Sequence, residues 1–313
     1  MSFEVTNAMV EQYRSNVQLL SQQKDSRLAG TCEIVTPVGK AFYAERIGAT
    51  TGQIRTTRHG DTPLISTPHS RRKGSVFDWE WADLIDKQDE PKVLIDISGK
   101  YVQNAVAAAN RHKDYFILQA LGGPAYAGEA GATVVNNYDS GECRIVNGDG
   151  TVATAGSDAS DTTQTPLTVA KLMTCKQLLD EAEIDEDRQR YFVANSYNLT
   201  QLLNATEVKS SDYNTVKALA EGKIDTYMGF KFIRMEYRTD GLGLQYHTTD
   251  TGCLRCYAWA HGAITLGIQK DINTVIGPRA DKSNATQVYA EQEMGATRNE
   301  GPAVVEILLK GAA

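Results

Sequence analysis

From Thr31 to Val76 the chain carries too few apolar side chains to close a core of its own. It reads as short extended pieces: Cys32-Glu33-Ile34-Val35, Ala41-Phe42-Tyr43-Ala44, Gln53-Ile54-Arg55-Thr56-Thr57 and Pro63-Leu64-Ile65-Ser66. Threonine, glycine and arginine separate them. A long structureless segment inside a compact domain is uncommon unless it binds something or is disordered. The β-type residues favour strand pairing. The expectation is an arm unable to fold upon itself, whose strands find partners elsewhere, on neighbouring copies.

Charge sharpens that reading. Between Lys40 and Lys73 seven basic side chains stand against two acidic ones, in a chain of formal charge −7. From Asp78 to Glu90 the balance flips to six acidic residues and one lysine, with Trp79 and Trp81 placed on one side of any strand formed there. Three readings of the basic arm are open. It could neutralise nucleic-acid phosphates through Arg55, Arg58, Arg71, Arg72 and Lys73. It could be disordered, against which Ile47, Ile54, Leu64 and Ile65 argue. It could lie across acidic surface on another copy, the reading preferred here because opposite local charges set register and specificity. The candidate intersubunit residues are Arg46, Arg55, Arg58, Arg71, Arg72 and Lys73, facing Asp78, Glu80, Asp83 and Asp86.

The remaining chain reads as α+β with no internal repeat. An amphipathic helix is expected over Thr6–Gln23, with Met9, Tyr13, Val17 and Leu20 on one side. The longest helix is expected over Ser98–Leu121, with Val102, Ala105, Ala109, Phe116 and Ala120 as its apolar stripe and Gly122-Gly123-Pro124 as its stop. A β-hairpin is expected over Glu142–Thr154 around Asn147-Gly148-Asp149-Gly150. A further helix is expected to start with Pro166 at its first position, with Val169, Leu172, Cys175 and Leu179 on one face. Short strands follow at Tyr191–Ala194, Met228–Arg238 and Leu254–Trp259, with a helix near Leu199–Leu203 and a late strand at Ala303–Leu308.

Bulk numbers fit an ordinary globular protein: 313 residues, 41% hydrophobic and 23% charged, enough for one large domain or two modest ones. A pI near 5.4 argues against a general nucleic-acid binder. No signal peptide or membrane span is expected, and five irregularly spaced cysteines fit a reducing cytoplasm. Motifs of hydrolases, zinc proteases and nucleotide binders are absent. Cys253-Leu254-Arg255-Cys256 has thiol-redox or zinc spacing. It lacks a second ligand pair and leads into a strand, so coincidence is the preferred reading. The acidic run Asp180–Asp187 lacks the order of a calcium loop and reads as a solvated turn. No catalytic, cofactor or metal residue is assigned.

The order of elements resembles a major capsid protein of tailed bacteriophages with the Hong Kong 97 phage-type fold. The local strings that carry the resemblance are Thr56–Leu64, Thr67–Arg72, Trp81–Asp86, Leu167–Leu179, Tyr191–Ala194, Met228–Phe232, Ala258–Gly262 and Arg279–Tyr289. The resemblance implies an N-terminal arm over 1–30, an extended loop over 31–80 and a peripheral domain over 81–185 containing a spine helix at 98–121. An axial domain over 186–265 and returning peripheral strands over 266–313 complete it. It further implies self-assembly into pentamers and hexamers of an icosahedral shell enclosing double-stranded DNA without sequence-specific binding. A separate scaffolding protein, a portal and a decoration protein are the implied partners, with assembly in the host cytoplasm and residence in the virion. An encapsulin-like cellular shell and, from a different class, a thiol or metal enzyme using the cysteine pair are the alternatives.

Overall fold

The computed structural model describes residues 22–58, 60–62, 64–85, 97–154, 163–204, 226–248 and 252–311. The helix expected over Thr6–Gln23 lies, except for its last two residues, outside the described residues. In chain order the elements are β1 (Glu33–Val35), β2 (Ala41–Ile47), β3 (His69–Ser75), β4 (Phe77–Ile85) and the long helix α1 (Ile97–Gly122). Then come β5 (Ala125–Ala127), β6 (Thr133–Val135), β7 (Arg144–Val146), α2 (Val169–Glu181), β8 (Arg190–Ala194) and α3 (Ser196–Asn204). The chain closes with β9 (Thr226–Tyr227), β10 (Phe230–Arg234), β11 (Cys253–Ala260), β12 (Ile264–Arg279), β13 (Ala285–Arg298) and β14 (Val304–Lys310).

These strands form three sheets among the described residues, ordered β1-β12-β13-β4, β7-β14-β11-β8-β10-β9 and β2-β3-β5-β6. The first is built on the long β12–β13 hairpin, whose strands alternate sharply. On β13 Val288, Ala290, Gln292 and Met294 are buried, while Tyr289, Glu291 and Glu293 point the other way. Helix α1, 26 residues and roughly 40 Å long, covers the buried face. Phe77 of β4 stacks on Phe116 at 5.6 Å, and Trp79 meets His112 at 5.6 Å. The main core lies beneath the six-stranded sheet, where Trp259, Phe192, Phe230, Leu172 and Leu179 are fully enclosed.

A buried carboxylate fixes the start of the described chain. Asp114 on α1 accepts the backbone N–H groups of Arg27 and Leu28 at 3.1 and 3.0 Å and the Ser26 hydroxyl at 2.6 Å. Leu28 is thereby seated in the core.

The structure corrects several expectations. The segment 31–76 does fold upon itself: β2 and β3 pair antiparallel along their full length, from Ala41↔Ser75 to Ile47↔His69. Sparse apolar content forbids a private core but not a ribbon, and one aromatic side chain helps tie that ribbon down. Phe42 packs where both Gly74 and Gly267 lack a side chain; a Cβ on either would stand 2.2 or 2.6 Å from the ring. The hairpin expected over Glu142–Thr154 closes only over residues 145–153, where the bridge Val146↔Val152 is joined by the Asn147 and Ala153 N–H groups donating to the Thr151 and Ile145 carbonyls at 2.8 Å each, while the other edge of β7 pairs parallel with β14. Pro166 lies outside α2, whose N-cap is Thr168, the side chain accepting from the Lys171 N–H. Strand β10 starts at Phe230 because Met228 and Gly229 hold left-handed conformations, φ 53° and 84°.

Candidate assembly surfaces

Beyond the ribbon the chain turns through residues 48–67, closed at its base by the Gly48 N–H donating to the Pro68 carbonyl at 2.9 Å. Ile54 and Leu64 there are 92% and 99% exposed, leaving in water apolar area whose burial is favourable. The Arg55 Nε donates to the Thr57 carbonyl at 2.8 Å, and Arg58 is exposed. This tip carries apolar and cationic side chains together.

The remaining basic candidates sit at the root of the ribbon and behave differently. Arg72 is buried and pairs with Glu142, which also meets Arg298 Nε at 3.4 Å. Arg298, itself 1% exposed, donates Nη1 to the carbonyls of Leu121 and Gly123 at 3.2 and 2.8 Å. A cation there satisfies the orphan acceptors at the end of α1 and complements its dipole. Glu142 therefore ties the ribbon, the β13 strand and the helix end into one buried network, and the Arg72 charge is used within the chain. Arg46 is half-buried, donating Nη1 to the Asn299 carbonyl at 2.9 Å, and burial lowers its pKa. Arg71 pairs with Glu45 at 3.2 Å, and Lys73 Nζ donates to the Ala130 carbonyl at 3.3 Å.

Of the acidic candidates, Asp78, Glu80 and Asp83 are exposed on β4, an edge strand, and Asp86 lies outside the described residues. Alternation puts Asp78 and Glu80 on the open face of the sheet and Asp83 on the face that carries α1. Sequence reading missed their neighbours. Glu291 stands directly opposite Glu80 and Glu293 opposite Asp78, so four carboxylates share one face. Among the described residues Lys270 on β12 is bonded to Glu291 there. The alternation Tyr289-Ala290-Glu291-Gln292-Glu293-Met294 was the available signal, but it lies in sequence far from β4.

The cysteine pair is made of packing residues. Cys253 and Cys256, three apart on β11, project to opposite faces, and both are fully buried and outside any disulfide. Burial raises the Cys256 thiol pKa strongly and pushes Cys143 up to about 12, the reverse of an activated thiol. Among the described residues no group of three or more His, Cys, Asp or Glu side chains could hold a metal. None of the described helices is long and apolar enough to cross a membrane. Within the acidic run, Asp180 in the last turn of α2 is paired with Arg190 at 2.7 Å.

A two-stranded ribbon, a spine helix laid across a long hairpin, and a separate mixed sheet together define the Hong Kong 97 phage-type shell fold. Solved structures bear this out. The head structure of Helicobacter pylori bacteriophage KHP40 matches with a TM-score of 0.69 at 10% identity, covering 94% of each chain. The capsid asymmetric unit of cyanophage Pam1 matches at 0.66 and 16%, covering 96% of each chain. The capsid of cyanophage P-SCSP1u matches at 0.63 and 15%, covering 97% of this chain and 95% of the other. Among curated proteins no sequence matches significantly. The chain belongs to the phage capsid protein family, whose model matches residues 5–310. It is a structural component of a virion.

Proposed function

We propose that this capsid protein forms rings of five and six copies that close into an icosahedral shell around double-stranded DNA. The subunit divides for that purpose into an arm (1–30), an extended loop (31–80), a peripheral domain (81–185, returning over 266–313) and an axial domain (186–265). The observation that carries the reading is the loop tip: Ile54 and Leu64, more than nine-tenths exposed, beside the exposed cations Arg55 and Arg58. Such a surface is costly for a free subunit and useful when a neighbour covers it. Contacts of this head-to-tail kind generate rings when the rotation closes. DNA is retained by enclosure, which a net acidic protein can accomplish. Assembly takes place in the host cytoplasm with a separate scaffolding protein and a portal, and a decoration protein can bind the finished shell.

The test is Arg55→Glu combined with Arg58→Glu. A single exposed ion pair contributes only ~0–1 kcal/mol, but the reversal repeats at every subunit contact and adds repulsion. Sedimentation is expected to show loss of shells while circular dichroism shows a folded subunit. Normal shells from the double variant would sink the role given to the tip.

A further inference from the structure

The root of the ribbon gathers more positive charge than the acids beside it balance. Arg72 and Arg298 hold the two oxygens of a single carboxylate, Arg72 Nη2 on Glu142 Oε1 and Arg298 Nε on Oε2 at 3.4 Å. Arg46 lies on the same face of the ribbon as Arg72: Arg72 stands opposite Ala44, and side chains two apart on β2 project together. Burial and then the Arg72 charge lower the Arg46 pKa, so the two guanidinium groups are within electrostatic reach of each other. The next carboxylate, Glu300, is paired with Arg188 at 2.8 Å. Three guanidinium charges therefore gather around Glu142.

Their hydrogen-bond accounts do not close either. Arg72 is 2% exposed, and its Nε and Nη1 have no partner among the described residues. The same holds for Nη2 of Arg298, which is 1% exposed, and for Nε of half-buried Arg46. Guanidinium groups donate and never accept, so the three cannot satisfy one another. Buried donors without an acceptor are costly, and charged ones more so. The backbone carbonyl of Asn299 takes Arg46 Nη1 at 2.9 Å, and the Asn299 side-chain Oδ1 is unpartnered as well. Turned end for end, that amide offers two more donors at the same place.

We propose that Arg46, Arg72 and Arg298 bind a small inorganic anion, of the halide or phosphate class, at the root of the ribbon. An anion supplies both the charge and the acceptor that these groups call for, and guanidinium planes suit oxyanions through paired N–H donors. The enclosed position of the donors restricts the ligand to an ion, since a nucleic-acid strand or a second chain could not reach them. Arg46, half-buried, gives the site its access to solvent. Arg46 and Arg72 belong to the ribbon and Arg298 to β13, so the ion acts as a staple between them. Anion concentration then sets how firmly the ribbon is held. The site needs only the single subunit and is independent of the shell reading.

The test is made on unassembled wild-type subunits at one ionic strength, in sodium chloride, sodium phosphate or sodium gluconate, whose anion is too bulky to enter. Melting temperature is expected to rise with chloride or phosphate and to saturate, as ligand linkage requires. The ³⁵Cl NMR line is expected to broaden on adding protein and to narrow again where phosphate competes. Arg72→Met combined with Glu142→Gln removes one charge of each sign and is expected to abolish both effects in a chain that circular dichroism shows to be folded. Arg46→Met, at the solvent side, leaves the Glu142 pairing in place and is expected to raise the midpoint anion concentration at least ~10-fold, the loss of one charged hydrogen bond. It carries the test if the double variant does not fold. Equal melting in all three salts with no ³⁵Cl broadening overturns the site. Broadening or a melting gain that the variants retain in full also overturns it, by showing an ion bound elsewhere or a general salt effect.

Discussion

Lys171 shows how a single residue can run against its own ionisation. Its side chain is enclosed, with Nζ donating to the carbonyls of Thr165 and Leu308 at 3.3 and 3.2 Å, and burial lowers its pKa to about 8. The sign follows from linkage. Between about pH 8 and 10.5 the folded amine is largely neutral while the unfolded amine still binds its proton. The unfolded state therefore holds more protons there, and this group's contribution to stability rises with pH. Below pH 8 the penalty is fully present, at most ~3 kcal/mol. The buried thiols act oppositely: burial pushes Cys32 up to about 12, so its contribution is lost as pH climbs above about 9. A difference measurement separates the two. The unfolding free energy of the wild type relative to Lys171→Met is expected to increase from pH 8 to 10.5, read by urea melts at each pH. A flat difference would show the amine to be ordinarily hydrated.

At the scale of elements, what the sequence declared depended on how local the signal was. Helix α1 was legible over nearly its full length because alanine-rich periodicity and Gly122-Gly123-Pro124 are local signals. The same holds for β8 and β11, short runs bounded by turn residues. The partner of each strand was not legible. The sequence around Asn147-Gly148 predicts a hairpin, yet β7 takes β14 as its main partner across the chain. Arg298 and Asp114 were passed over because a charged residue in an apolar stretch declares its partners only in three dimensions. Of the candidate contacts, composition found the basic and acidic segments. It could not show that Arg72 is consumed by Glu142, nor that Glu291 and Glu293 join Asp78 and Glu80. The ribbon's attachment gives an element-scale prediction. Phe42→Ala empties the space between Gly74 and Gly267 and is expected to cost ~3–5 kcal/mol in the range of large core truncations. Limited proteolysis should then cut within 48–67 far faster than in the wild type. Unchanged cleavage would mean the Arg72–Glu142–Arg298 network alone holds the ribbon.

For the whole molecule the unresolved quantity is curvature. In the proposed shell, rings of five and six copies would use the same surfaces, so each contact would have to close at more than one angle. The structure supplies compliant parts for that. The ribbon projects from its root with the stretch 48–67 outside every ladder described, and β12 breaks register with β13 between Ile268 and Asn273. Register shifts of this kind bend and twist the strand pair locally. Surface ion pairs such as Arg71–Glu45 at 3.2 Å are weak enough to exchange partners as neighbours arrive. The same compliance removes any internal gauge of radius. Nothing in contacts between such compliant parts prefers one closed diameter over a slightly larger one, so in the proposed shell size selection has to come from a template. This chain expressed alone is therefore expected to give free rings and particles of mixed diameter, with shells of uniform size a minority. Co-expression with a scaffolding protein of the same phage should convert that mixture into one size. Electron microscopy with particle sizing reads both preparations. A homogeneous shell population from this polypeptide alone would place the gauge within the subunit, and the bent β12–β13 hairpin would be the first element to search for it.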